Sequence, residues 1–215
     1  IELVLGFALA LVMHRVITKL RGIVRTAILV PYGIITVVSA FAFFYAFDIN
    51  SGYINNWFNW VPGIDESFNW FASQWPSLFV IILSEVWKTT PFMALLLLAG
   101  LALVPDDVLK AAALDGAGFW HRLFKITLPL MKPSIIVALL FRTLDAFRVF
   151  DNIYILTKGN NGTGSVSILG YNNLFKAFNL GIGSAISVLI FLCVAVIAFI
   201  FVKGLGASTP GNGKE

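Results

Sequence analysis

Six ionisable side chains lie inside apolar runs of this sequence: Glu85 and Lys88 in one, and Arg142, Asp145, Arg148 and Asp151 in the next. Within hydrocarbon such groups cost about 2.5–3.5 kcal/mol each on insertion scales, so they face a pathway or a partner. Hydrolytic chemistry has no visible basis. There is no GxxxxGK[ST] loop, no HExxH, no paired-cysteine spacing and no nucleophile–base set. His14 and His121 have no second ligand at helical spacing, so no metal site is predicted. The chemistry open to these residues is binding and passage of a polar solute.

The elements that must hold them are membrane helices. Apolar residues make up 59% of the 215 positions and charged residues 12%, with a mean hydropathy of +0.88. A soluble domain carries about 25% charged residues, so much of this surface faces lipid. That bulk also argues against nucleic acid as the partner of a chain with net charge +4. Cys193 is the single cysteine, which excludes a disulfide framework. Runs of spanning length, about 20 residues, cover Thr26 to Phe47, Ser77 to Val104, Pro133 to Leu156 and Ser184 to Val202. The run Ile1 to Met13 is too short alone and reads as the tail of a longer span, with one or more spans preceding it. The expectation is a single all-α membrane domain over 1–215, with about five spans, the first truncated.

Charge sets the orientation. His14 to Arg25 carries Arg15, Lys19, Arg21 and Arg25 without an acid, whereas Asp48 to Pro76 carries Asp48, Asp65 and Glu66 without a base. Positive residues favour the cytoplasmic side. The first loop, Pro105 to Lys132 and the tail Gly204 to Glu215 are therefore expected inside, with Lys158 to Gly183 outside. Trp57, Trp60, Trp70 and Trp75 mark the Asp48–Pro76 stretch as lying along the outer interface.

Counting depth from Ser77 and Leu156 at 1.5 Å per residue, Lys88 and Asp145 each lie about 16 Å deep, and Glu85 and Arg148 about 12 Å. Two readings stand. The pairs Lys88–Asp145 and Glu85–Arg148 pin antiparallel helices, or some of these groups bind solute in a cavity. The charges at 142, 145, 148 and 151 step by 300° of turn, so on one continuous helix they cannot all face one cavity. Phe147 and Phe150 are expected to pack rather than to bind. Asn161-Gly162-Thr163 reads as a turn.

The most informative stretch is Val104 to Pro133. Asp106 and Asp107 suit a helix start, Lys110 to Leu114 is helical, Asp115-Gly116 is a turn, and Phe119 to Leu128 forms a second helix that Pro129 ends. Trp120, Leu123, Phe124 and Ile126 are expected to hold this hairpin against the membrane body. It resembles the coupling loop in permeases of binding-protein-dependent ATP-binding-cassette importers, whose pattern is EAA, three residues, G, nine residues, I, one residue, LP. Ala111, Ala112, Gly116, Ile126, Leu128 and Pro129 match it in place, and Asp115 and Ala117 complete the usual DGA. Lys110 departs from it where the family has glutamate, which leaves a glutamate contact to the ATPase unsupported. Phe150 to Gly159 and Phe178 to Ser187 resemble the carbohydrate branch, the maltose-importer type.

That resemblance implies the type I importer transmembrane fold and a multi-pass plasma-membrane subunit with a cytoplasmic C-terminus. It implies no cofactor on this chain, with ATP and Mg in partner ATPase subunits. The implied partners are a second related permease, an ATPase dimer, an external sugar-binding protein and membrane lipid. The cargo would be a sugar, a disaccharide such as trehalose. Glu85, Lys88, Thr89, Phe92, Arg148, Asp151 and Asn152 are the expected substrate pathway. With Arg142 and Asp145 included, the buried charges sum to zero, which favours a neutral sugar. A secondary transporter or channel driven by those charges is the competing class.

Overall fold

Proline, glycine and polar interruptions decide which apolar runs stay helical. The structure, a computed structural model, describes residues 1–16, 20–58, 60–61 and 67–204. Lys19, Asp65, Glu66 and residues 205–215 of the tail, all used for orientation, lie outside the described residues.

The run expected as one span over 26–47 is two helices, Arg21–Gly33 and Thr36–Phe47, parted at Ile34 and Ile35. Pro31 sits in the last turn of the first. It offers no N–H and its ring crowds the carbonyl four residues back. Likewise the run expected over 133–156 is Lys132–Phe147 followed by Asp151–Leu156, with residues 148–150 outside helix. Gln74–Leu101 runs unbroken for 28 residues through Pro91. Leu180–Phe199 continues into a π turn, Ile200–Gly204.

The five runs expected as spans are each found as helix, the first, Glu2–His14, being short. Among the described residues two helices, Gln74–Leu101 and Leu180–Lys203, are long and apolar enough to cross a membrane singly. Two more crossings exist only if the bent pairs Arg21–Gly33 with Thr36–Phe47 and Phe119–Leu130 with Lys132–Leu156 each count as one span. Hydropathy sums over such a break without registering it.

The chain forms two compact units, each from separated segments. One comprises Ile1–Val30, Thr90–Leu144 and Ala195–Glu215; the other comprises Pro31–Thr89 and Asp145–Val194. The first unit is centred on Met13, Met93, Leu97, Leu101 and Met131. Its helices approach at small residues, as membrane helices do where dispersion drives packing. A Cβ added at Gly100 would stand 2.6 Å from Ser134 Cβ, and one at Gly6 would stand 2.8 Å from Met93 Cγ.

The second unit is centred on Phe47, Trp70, Val80, Ile81, Leu156 and Ile168. Trp70 is 7% exposed, packs edge-on to Phe47 and Phe68, and donates from Nε1 to Asn55 Oδ1 at 2.6 Å. It is a core residue, in contrast to the interfacial role expected from sequence; Trp57, Trp60 and Trp75 are exposed. The Asn161 triplet does form a turn: Asn161 has φ +55°, and its Nδ2 donates to the Phe71 carbonyl at 2.7 Å.

The close approach at Gly100 is testable. Gly100→Val should destabilise the assembled protein by about 1–3 kcal/mol through overpacking. The measurement is the thermal midpoint of the purified complex. Adding Ser134→Gly should recover most of the loss, and a midpoint unmoved by Gly100→Val would contradict this packing.

Candidate functional site

In the second unit a cavity of about 420 Å³ opens where three interrupted or polar stretches converge. That volume falls in the usual range for small-ligand pockets, about 300–1,000 Å³. Glu85, Lys88 and Thr89 reach it from one helix, at the i, i+3 and i+4 positions that share a face. Tyr32 and Thr36 come from either side of the Pro31 break. Asp145, Arg148 and Asp151 line it together, with Val149, Phe150 and Asn152.

The four charges at 142, 145, 148 and 151 do not all face this cavity, as their step implies, yet three of them, 145, 148 and 151, converge on it. The helix stops at Phe147, and Phe150 (φ −133°, ψ −61°) precedes a new helix starting at Asp151. The interruption resets the helical phase, so the 300° step no longer applies. Arg142, one turn before the interruption, does not line the cavity. It forms an ion pair with Glu2 in the first unit, its Nη2 donating to Glu2 Oε1 at 2.8 Å. The cavity therefore holds three acids, Glu85, Asp145 and Asp151, and two bases, Lys88 and Arg148. Its formal charge is −1, where the sequence count that included Arg142 is zero.

The four residues matched by depth do reach one cavity. Lys88, 9% exposed, donates from Nζ to the Ile34 carbonyl and lies 6.0 Å from the Tyr32 ring centroid. Glu85 Oε2 accepts from Asn152 Nδ2 at 3.0 Å. Asn152 is 2% exposed; its Oδ1 accepts from Ser84 Oγ at 2.9 Å, and its Nδ2 also donates to the Ile81 carbonyl at 3.4 Å. This amide is spent on holding Glu85 and the neighbouring helix. Thr89 Oγ1 donates to the Glu85 carbonyl at 2.7 Å.

Of the seven pathway residues expected from sequence, six line the cavity. Phe92 does not; it belongs to the first unit. Tyr32, Thr36 and Val149 also line the cavity without being among those expected residues, and Phe150, expected from sequence to pack, lines it too. Phe150 both lines the cavity and stacks on Tyr154 at 5.2 Å. The signal available for Tyr32 and Thr36 was Pro31, since irregular backbone at membrane depth is tolerated where it lines a cavity.

The 105–132 loop folds as a helix, Asp106–Leu114, a turn, and a helix, Phe119–Leu130. The first ends in a Schellman motif: Ala117 N–H donates to the Ala112 carbonyl at 2.9 Å and Gly116 N–H to the Ala113 carbonyl at 3.1 Å. Gly116 takes φ +79°, which only glycine adopts cheaply. Asp115, Gly116, Ala117 and Ile126 line a shallow groove there with Ala112 and His121. Ala111 is exposed, and exposed Lys110 pairs with Asp107 at 3.3 Å. Pro129 does not end the second helix. The turn before it, Leu123–Thr127, widens into a π turn, which accommodates the proline; the chain bends by 69° two residues later, around Met131. Leu128 is half-buried. Leu123 is buried as expected, but Trp120 and Phe124 are exposed and stack on each other, 6.0 Å between centroids. Leu114 is 90% exposed. The loop thus offers apolar side chains outward.

The profile of binding-protein-dependent transport system inner membrane components matches residues 2–208. The chain belongs to that family. It is 62% identical over 212 residues to the trehalose transport system permease protein SugA of Mycobacterium tuberculosis, covering 99% of this chain and 67% of that protein. It is 42% identical over 207 residues to the trehalose/maltose transport system permease protein MalF of Thermococcus litoralis, covering 94% and 68%. A bacterial ABC transporter that imports the acidic polysaccharide alginate superposes with a TM-score of 0.84 at 24% identity, over 95% of this chain and 72% of that one. That last likeness concerns the fold alone. The family assignment makes this an inner-membrane transport component, and the chain spans about two thirds of the length of these permeases.

Because Asn152 bonds both Glu85 and Ser84, Asn152→Leu should remove one hydrogen bond from each of them. The expected cost is about 1–3 kcal/mol, read as a lower thermal midpoint together with slowed uptake. Asn152→Leu with both unchanged would remove Asn152 from this role.

Proposed function

We propose that this chain is the membrane-spanning permease subunit of an ATP-driven importer and passes a neutral disaccharide, trehalose or a close relative, into the cytoplasm. The observation that carries the sugar assignment is the 62% identity to a mycobacterial trehalose permease. The chemistry of the cavity agrees with it: carboxylates, a guanidinium and hydroxyls alternate along its wall, and Phe150 offers an aromatic face. A net charge of −1 disfavours sugar phosphates and uronates by simple repulsion.

The subunit is non-catalytic. A second related permease, two ATPase subunits holding ATP and Mg, and an external sugar-binding protein complete the machine. The charge asymmetry of the loops supports a cytoplasmic position for the 105–132 loop and the C-terminus. There Leu114, Trp120 and Phe124 meet an apolar groove of an ATPase, and nucleotide-driven closure moves the loop. Lys110, engaged with Asp107 on the same helix, does not serve as the family's glutamate would.

Uptake of a panel of labelled sugars by a strain deleted for this gene, with and without complementation, tests the cargo. Trehalose uptake should vanish and return, remain ATP-dependent and resist ionophores; ionophore-sensitive uptake would favour a secondary transporter. For coupling, Gly116→Val should abolish uptake while ATP hydrolysis by the assembled complex persists. Gly116→Asn, which tolerates positive φ, should retain most uptake. Equal loss in both variants would show that φ at this position is not what matters.

A further inference from the structure

Lys88 is the natural candidate for a sugar ligand by position, since it lines the cavity midway along a membrane helix. Its contacts say otherwise. Ile34 lies outside both helices that flank the Pro31 break, and the backbone bonds on either side of it end on the Pro31 and Ile35 carbonyls. The Ile34 carbonyl is the oxygen that the Lys88 ammonium occupies. The Tyr32 ring covers another side of the same ammonium, and the residue as a whole is buried. An unpartnered backbone carbonyl and an unpartnered ammonium are each costly away from water; here each removes the other's penalty.

We infer that Lys88 is a positioning residue and not a sugar ligand: its ammonium caps the broken backbone at Ile34 and so fixes Tyr32 and Thr36 in the cavity wall. A lysine suits this task because its flexible stem lets a compact charge reach a carbonyl across from its own helix. The cap sets the geometry of two wall residues that the linear sequence does not mark as binding groups. The charge presented to solute then falls to Arg148 and the carboxylates.

The inference concerns the sugar-importer reading in only one arm of its test. In the other arm, hydrogen exchange is measured on the purified complete importer without sugar. Lys88→Met, similar in length but without a donor, should speed exchange across residues 31–39 by about 10- to 100-fold, the equilibrium worth of a hydrogen bond to a charged group. Lys88→Arg should keep wild-type exchange, because its donors still reach the carbonyl. Unchanged exchange in Lys88→Met overturns the cap, whatever the cargo proves to be. In the second arm, monodeoxy analogues of the transported sugar are compared in wild type and variants. Any analogue whose loss in affinity shrinks in Lys88→Met should be one whose loss shrinks as much in Tyr32→Phe or Thr36→Val, because the cap acts through those wall residues; every other loss should match wild type within about twofold, as for groups that do not touch. An analogue whose loss disappears in Lys88→Met but persists in Tyr32→Phe and Thr36→Val identifies a direct lysine–hydroxyl contact and overturns the inference. Should Lys88→Met fail to assemble, Lys88→Arg decides: wild-type exchange and analogue losses support the cap, and faster exchange or a vanished analogue loss rejects it.

Discussion

A charged ammonium resting on a bare peptide carbonyl is the interaction on which the cavity depends. Pro31 and the two residues after Gly33 break a helix inside an apolar run, and a broken helix in hydrocarbon leaves backbone groups that water cannot reach. An unsatisfied buried carbonyl costs about 1–3 kcal/mol, and a buried unpaired ammonium costs several kcal/mol even after relaxation. Lys88 and Ile34 cancel both costs in one bond. Without that bond the break would be a defect. With it, the break becomes a wall that can carry Tyr32 and Thr36.

The opposite wall uses the same device in another form. The interruption at residues 148–150 frees Asp145, Arg148 and Asp151 from helical phase and brings them to one cavity. Asn152, inside the following helix, bonds Ser84 and Glu85 and so ties this wall to the helix Gln74–Leu101. Irregular backbone at depth is tolerable only because polar side chains satisfy it, and the resulting space is polar for the same reason. A polar cavity follows from the breaks that create it.

The loop over 105–132 solves a different problem. Two backbone devices shape this short element. The Schellman turn at Gly116 stops the first helix within one residue, and the π turn before Pro129 lets the second continue to Leu130. Both are local, dictated by glycine and proline, and both lie beside exposed apolar side chains, Leu114 and Trp120.

Much of this was legible from residues alone, because it is local. Membrane character follows from composition, the helix–turn–helix loop from capping and turn residues, and the glycine at 116 from the φ that its turn requires. The burial depth of Glu85, Lys88, Asp145 and Arg148 is a matter of counting, and it brought those four to the right place. Their partners were not legible. Hydropathy windows sum across breaks, so the interruptions at 34–35 and 148–150 passed unseen, and with them the phase that decides which side chains converge. Only the tertiary structure assigned Lys88 to a carbonyl, Arg142 to Glu2, Trp70 to a core and Phe92 to the other unit. The physical reason is that sequence period fixes direction along an intact helix, whereas the partner of a buried polar group is set by whatever backbone the breaks leave open.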